Sequence, residues 1–392
     1  MELTKNAQPL LLPDVSPKML GPGFWTARFR DLDLAQDWIG DCKYRPPELS
    51  LRDYFASIDM HMKDFRTESS GSPLLREFRS QINLWESFEY GLIVEAGDLK
   101  LLPQLTPLFS NRGEPDLDRN QLSGLDPGDP LTLFGVSSDG NWLGAISEAG
   151  VGWVERKLVG TGPRKVIENY LNEPNRLTTI DPSPKILSKN RTIEASMGCS
   201  FPLNDHLRHT AIIPAMDWKG ELSFKSGVII GGTVRDHLPR SAHHLIRQAF
   251  KYLGYPYAWG DRDAEGSGRD CSRLVRDVLK SLGFKPPRNS QEQLAAGQNR
   301  INMAAMNYAQ RLAELKKVSP GSLLFTAGHV MVFLGEYQGN VYAIHALNNY
   351  RQIADNKEEP VKVKEVVVSG LTLGSGTRTG SLLEQITEVI KV

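Results

Sequence analysis

The hydrophobic pattern changes period near Pro239, and that change limits the fold more than any other feature of the sequence. From about residue 81 to residue 238 the apolar residues come in short runs closed by turn formers: YGLIVEAG, DLKLLP, DPLTLFGV, CSFPL, TAIIPAMDW and ELSFKSGVIIGG. Runs of that length form strands and are too short for amphipathic helices. Beyond Pro239 the spacing becomes helical. Ser241 is placed to cap a helix with Leu245, Ile246, Ala249, Phe250 and Leu253 on one face and Gly254 at its end. A second stripe of Leu274, Val275, Val278, Leu279 and Leu282 ends at Gly283, before Pro286 and Pro287. Two apolar strands follow, within SLLFTAGHVMVFLGEY and NVYAIHAL. Helices first and a sheet afterwards predict an α+β domain.

A chain of 392 residues exceeds what one ordinary core organises. The texture predicts four parts. Residues 1–80, with the helical pattern LSLRDYFASIDMHMKDF, form an appendage that packs on the rest; 81–160 and 161–238 are two small β-barrels; 239–392 is the α+β domain. Within the first barrel, Asp139-Gly140 predicts a hairpin with a type I′ turn. Trp142 and Trp153 are expected in its small core rather than in a glycan groove.

Charge and cysteine usage exclude several classes. With 46 basic and 46 acidic side chains there is no net field to attract nucleic acid, and no nucleic-acid partner is expected. No apolar run is long enough for a membrane span. MELTKNAQPLLLPDVSP lacks a basic stretch followed by a longer apolar one, so the expectation is a cytoplasmic protein or a mature form with its leader trimmed. Cys42, Cys199 and Cys271 lie too far apart for a zinc knuckle or a disulfide framework. His206 to His209, HLRH, has zinc-like spacing but no matching ligand set nearby, so no metal is expected. His243 and His244, in the first turns of a helix, are expected as surface or interdomain residues, and the protein is expected to act as a monomer.

Cys271 stands apart from the packing pattern. It follows a glycine-rich, charged loop and opens the second helix, flanked by Asp270 and Ser272. A thiol with an ordinary pKa of about 8.5 becomes a ready nucleophile where a helix N-terminus or a nearby imidazolium stabilises the thiolate. Position supplies the first, and the expectation is a thiolate at rest. Only His329 and His345 follow Cys271 in the chain, both in predicted strands. A hairpin with its loop at Glu336 to Asn340, pairing odd with odd residues, puts the two imidazoles on one face at diagonal positions about 7 to 8 Å apart. One ring then takes the thiol proton and the other orients it. Asp270 is also suited to cap the helix.

The run GYPYAWGDRDAEGSGRDCSRLVRDVL, followed by PPRNSQEQ, PGSLLFTAGHVMVFLG and YAIHAL, closely resembles the NlpC/p60 family of papain-like cell-wall cysteine peptidases over about 150 C-terminal residues. The resemblance implies Cys271 as nucleophile, His329 as base and His345 as its orienting partner, with Asp270, Ser272, Tyr257 and Ser290 in the substrate groove. It implies cleavage of the amide between γ-D-glutamate and a diamino acid, usually meso-diaminopimelate, in peptidoglycan stem peptides or murein, without metal or organic cofactor. The upstream modules are similar to bacterial SH3-like (SH3b) domains, chiefly through DGNW and GWV. The implied fold is multidomain and mainly α+β: a papain-like catalytic domain preceded by two SH3b barrels and an N-terminal appendage. The chain departs from the family at Arg273 and Asp261, where glycines are usual, and at Pro286 or Pro287, where leucine is usual; the first two bear on substrate preference.

Several roles fit these residues. A cell-envelope lysin accepts intact murein, and two SH3b modules add surface for a polymer. A cytoplasmic recycling enzyme requires a free L-alanine amine, a choice that in the family is made where the first SH3b module closes the groove. A noncatalytic wall-binding protein has no need of Cys271, His329 and His345 together. Acyl transfer to an amine uses the same triad and is separated from hydrolysis by its products.

Overall fold

The computed structural model describes residues 9–42, 47–61, 65–66, 78–110, 117–189, 191–204, 210–261 and 268–392. HLRH at His206 to His209, the glycine-rich stretch 262–267 and the Asp261 side chain lie outside the described residues. The chain divides into two compact units, Met1–Cys42 with His237–Val392, and Lys43–Asp236. The stretch expected as one appendage, 1–80, is therefore shared between them.

The first unit contains helices α1 (Pro22–Thr26), α2 (Ala242–Phe250), α3 (Cys271–Ser281), α4 (Ser290–Ala296), α5 (Tyr308–Leu315) and α6 (Leu382–Gln385). Its strands are β1 (Arg300–Asn302), β2 (Leu323–Thr326), β3 (His329–Tyr337), β4 (Asn340–Ala354), β5 (Lys357–Gly370) and β6 (Glu388–Ile390). They form one antiparallel sheet in the order β1-β6-β2-β3-β4-β5. The helix expected after Pro239 is α2: the Ser241 hydroxyl accepts the His244 N–H, Leu245, Ile246 and Ala249 are fully buried, and Gly254 lies beyond its end at φ 80°. α3 packs against α2, β3 and β4.

On one face of the sheet Met331, Phe333, Val341, Ala343, Val363, Val367 and Leu371 pack with Leu382, Leu383 and Ile386 into a continuous core. The neighbouring Val330, Val332, Ile344, Ala346, Val366 and Val368 are buried as well. Covering on both faces is why VMVFL reads as an unbroken apolar run rather than an alternating one. Residues 9–42 are fastened to this unit by backbone bonds from Leu34 to Arg240, Gly40 to Ala296 and Cys42 to Lys285. The indoles of Trp25 and Trp38 are buried, and Trp38 Nε1 donates to the carbonyl of Lys391.

The β3–β4 hairpin turns at Gln338-Gly339, both at positive φ (52° and 85°), as a two-residue turn between right-twisted strands requires. Near the turn Tyr337 pairs with Asn340 and Gly335 with Tyr342; further on Phe333 pairs with Ala343 and Val332 with Ile344. Leu334 is the extra residue of a β-bulge. The expected odd-with-odd pairing thus holds at the histidine end and fails at the turn, because the turn is shorter than expected and the bulge restores the parity. Without the bulge the turn register would set His345 opposite Val332, on the wrong face relative to His329. Gly335 makes the bulge possible: its φ of 109° strains any side chain, and a Cβ there would lie 3.1 Å from Pro320 Cγ.

The second unit is mainly β. A seven-stranded antiparallel sheet is built from Ile82–Ile93, Gly97–Lys100, Gln121–Leu125, Pro130–Ser137, Trp142–Ser147, Gly150–Glu155 and Val159–Thr161. Its small core is Ile93, Leu99, Leu131, Leu133, Leu143 and Val154. Trp142 and Trp153, expected there, are instead buried on the opposite face in a separate cluster with Tyr54 and Ile58 of helix Pro47–His61, because neighbouring residues of a strand point to opposite faces. The Trp153 indole donates to Tyr54 OH over 2.9 Å. The Asp139-Gly140 hairpin is present, but only Gly140 has positive φ (75°). The turn is not type I′, because the Asp139 carboxylate accepts the Asn141 backbone N–H and holds a longer loop. Residues 176–235 form a three-stranded and a four-stranded sheet around Leu177, Ile186, Ile193, Phe201, Ala211, Ile213 and Ile229.

Replacing Gly335 by valine should lower unfolding free energy by about 2 kcal/mol, the usual cost of forcing a side chain into such a conformation. Urea denaturation measures it, and an unchanged midpoint would show that the bulge does not depend on this glycine.

Candidate active site

The site is built on the start of α3. Asp270 is its N-cap, with extended backbone (φ −83°, ψ 175°) and a carboxylate that accepts the Arg273 N–H over 2.8 Å. The same oxygen accepts the Ser272 hydroxyl at 3.1 Å. Arg288 closes the cluster with a two-pronged pair, Nη1 to Oδ1 at 3.1 Å and Nη2 to Oδ2 at 2.6 Å, and Nη1 also reaches Ser272 Oγ at 2.8 Å. Arg288 is 2 % exposed and Asp270 7 %. A bidentate guanidinium is the group best suited to hold a buried carboxylate. Burial acts to raise the Asp270 pKa, but Arg288, the Arg273 N–H and the Ser272 hydroxyl outweigh it and hold the carboxyl below its ordinary range. The backbone at Cys271 is thereby fixed from both sides.

His329 opens β3 directly after the turn that pairs it with Thr326. Its Nε2 lies 2.7 Å from His345 Nδ1, and the rings meet edge to face with centroids 5.0 Å apart. His345 is fully buried, and its Nε2 lies 2.9 Å from Ser369 Oγ on β5. The three residues run diagonally over β3, β4 and β5. Nε2 of His329 is committed to His345, so Nδ1 is the nitrogen left for a thiol. The Cys271 sulfur accepts the backbone N–H of Val330, the residue next to His329, and that of Ser272.

Burial decides the resting protonation. It raises the Cys271 pKa most, the Asp270 carboxylate adds to it, and the Val330 N–H, Arg288 and the Ser272 N–H oppose without prevailing, so the thiol is pushed up to about 12. Burial likewise lowers His329 to about 4, with Asp270 pulling the other way. His345 lies well below the ordinary range for the same reason and through repulsion from His329. Both shifts favour the neutral pair, a thiol and an uncharged imidazole. Burial and the neighbouring carboxylate thus work against the resting thiolate expected from the helix N-terminus, because one or two N–H groups do not compensate an enclosed sulfur anion beside a carboxylate.

The other expected residues are distributed. Tyr257 lies on the loop before α3, half-buried, with its backbone N–H on the Lys364 carbonyl. Ser290 opens α4, also partly exposed. Asp270 and Ser272, expected in a groove, are buried and engaged with Arg288. Arg273 is 1 % exposed, and its Nε donates to the fully buried Asp277, which also accepts Arg269 Nε and Tyr252 OH. This departure from the family therefore stabilises α3 from within and does not line a groove. Arg288 and Ser369 were missed in the sequence. Arg288 stands in PPRNSQ beside two prolines and Ser369 is the hydroxyl that interrupts EVVVSG, but neither segment carries a local sign of its partner. Among the described residues no group of His, Cys, Asp and Glu is arranged to hold a metal ion.

Residues 254–369 match the model of the NlpC/P60 family, so the C-terminal part of the chain carries a domain of that family. A curated relative, the bifunctional muramidase/DL-endopeptidase CwlT of Bacillus subtilis (strain 168), is 31% identical over 117 residues. That alignment takes in 29% of this chain, and the chain spans about a third (31%) of the relative's length. A solved NlpC/P60 endopeptidase from Photobacterium damselae subsp. piscicida shares the fold over 92% of this chain and 87% of its own, with a TM-score of 0.71 and 17% identity. The likeness in fold thus extends far beyond the family segment.

Replacing Arg288 by methionine should cost about 3 to 5 kcal/mol in urea unfolding, because it strands a buried carboxylate, and adding Asp270→Asn should recover part of that loss. Additive losses would refute the coupling. With a thiol pushed up to about 12, alkylation of Cys271, followed by mass spectrometry of its peptide, should keep accelerating above pH 9. A plateau at neutral pH would mean a resting thiolate.

Proposed function

We propose that the chain is a cysteine peptidase of peptidoglycan that cuts the amide between γ-D-glutamate and a diamino acid, meso-diaminopimelate, in stem peptides, and that it works in the cell envelope as a lysin. The observation that carries the reading is the ordered contact of His329 with His345, 2.7 Å apart, beside the start of the Cys271 helix. It lies inside the segment that matches a peptidase family. The DL-endopeptidase named in the aligned relative supports the choice of bond.

In this mechanism the neutral pair reacts in step with substrate. As Cys271 Sγ attacks the γ-carbonyl, its proton passes to His329 Nδ1, and the imidazolium so formed is held through Nε2 by His345. Backbone N–H groups at the start of α3, with Tyr257 alongside, stabilise the oxyanion. His329 then gives its proton to the leaving amine. Water, deprotonated by His329, opens the thioester and returns the thiol. Asp270 and Ser272 support this from behind the nucleophile, and Tyr257 and Ser290 line the substrate side. The β modules, read as SH3b domains, supply surface for a polymer.

Cys271→Ala should abolish release of the diamino acid fragment from a defined stem peptide, and retained turnover refutes the assignment. Purified sacculi compared with free tripeptide separate the two roles; activity on the tripeptide alone would make the chain a recycling enzyme. Because the base must be neutral and His329 lies near 4, kcat/KM should persist at pH 5 and fall through about pH 4. A fall centred at pH 6.5 would show an ordinary, solvated histidine.

A further inference from the structure

We propose that Ser369 is a positioning residue of the candidate site, whose hydroxyl accepts the Nε2–H of His345 and so fixes the tautomer that offers a bare Nδ1 to His329. The inference deepens the proposed function and rests on it for the role of His329 as base.

Only two neutral proton arrangements fit the chain of contacts. His329 Nε2 lies 2.7 Å from His345 Nδ1, and His345 Nε2 lies 2.9 Å from Ser369 Oγ. In the first, His345 carries its proton on Nε2 and donates to the serine; its Nδ1 then accepts from His329 Nε2–H, and His329 Nδ1 is bare. In the second, His345 carries its proton on Nδ1 and donates to His329 Nε2, so His329 is protonated on Nδ1. Only the first leaves His329 able to take a thiol proton. A hydroxyl can accept here without bringing a charge into the core, and since it can also donate, the two arrangements differ in which of Ser369 and His345 gives the proton. Ser369 and His345 are both completely buried, so water does not take the place of the serine.

The sheet register sets this contact. Ser369 pairs with Ala343 and Val367 with His345, which places the hydroxyl one diagonal step from the imidazole on the same face. His329 stands a diagonal step away on the other side. Tautomer choice on β5 is thereby transmitted over three strands to the start of α3.

The test is a long-range proton–nitrogen correlation spectrum of the full chain labelled with 15N-histidine, at neutral pH. The expected result is His345 protonated on Nε2. A spectrum with His345 protonated on Nδ1 overturns the proposal. In Ser369→Ala the His345 signal should show both tautomers, and kcat on a stem peptide should fall about tenfold, the equivalent of one neutral hydrogen bond, with KM unchanged. An alanine variant with the wild-type tautomer and wild-type kcat also overturns it. If that variant does not fold, the wild-type spectrum decides alone. Absence of stem-peptide cleavage by the wild-type chain would remove the proposed function while the tautomer remained measurable; normal cleavage with the Nδ1–H tautomer would remove only the role of Ser369.

Discussion

One buried ion pair, Asp270 with Arg288, governs the geometry from which the rest of the candidate site follows. The carboxylate performs two tasks at once. It caps α3 through the Arg273 N–H, and it is held by a guanidinium that reaches it from the loop before α4. A helix that begins one residue earlier or later would carry Cys271 off by about 100° around the axis, since successive residues are spaced at 3.6 per turn. The pair therefore works as an index mark for the sulfur. Its interior charge is also the second largest influence on the thiol, so the residue that sets the position of Cys271 also helps to keep it protonated.

That balance corrects a common inference about cysteines at helix starts. The partial positive charge of free N–H groups is real here, since Ser272 and Val330 both donate to the sulfur. An enclosed anion loses far more solvation than two such donors return, and a carboxylate one residue away adds repulsion. In the proposed mechanism the nucleophile is consequently generated by proton transfer at the moment of attack and not stored beforehand. Burial leaves His329 a weak base, which suits the step proposed for it, the return of the proton to a departing amine.

How much of this was legible in the sequence differs by level. The change of period at Pro239 located α2 and α3 and the sheet that follows, because Ser241, Gly254 and the apolar stripes are local signals. The meeting of His329 with His345 was legible from order and spacing. The bulge at Leu334 was not. GEYQGN reads as a plain hairpin, and nothing local shows that the short turn at Gln338-Gly339 needs one extra residue further along to return His345 to the face of His329. Arg288 and Ser369 were hidden for a related reason: each matters through a partner 18 or 24 residues away, and such pairings exist only once the chain is folded. The division of the first 80 residues between two units is likewise a tertiary fact, fixed by where Trp38 and Tyr54 find partners.

The bond from Trp38 to the carbonyl of Lys391 spans 353 residues of chain. A ribosome releases the early strip long before the strands it lies against exist. During that interval two bulky indoles have no burial place, while Lys43–Asp236 can already collapse on its own core. Completion of the first unit thus waits until Lys391 has been made, with the whole of Lys43–Asp236 synthesised between its two parts. In this unit the order of synthesis runs against the order of contact.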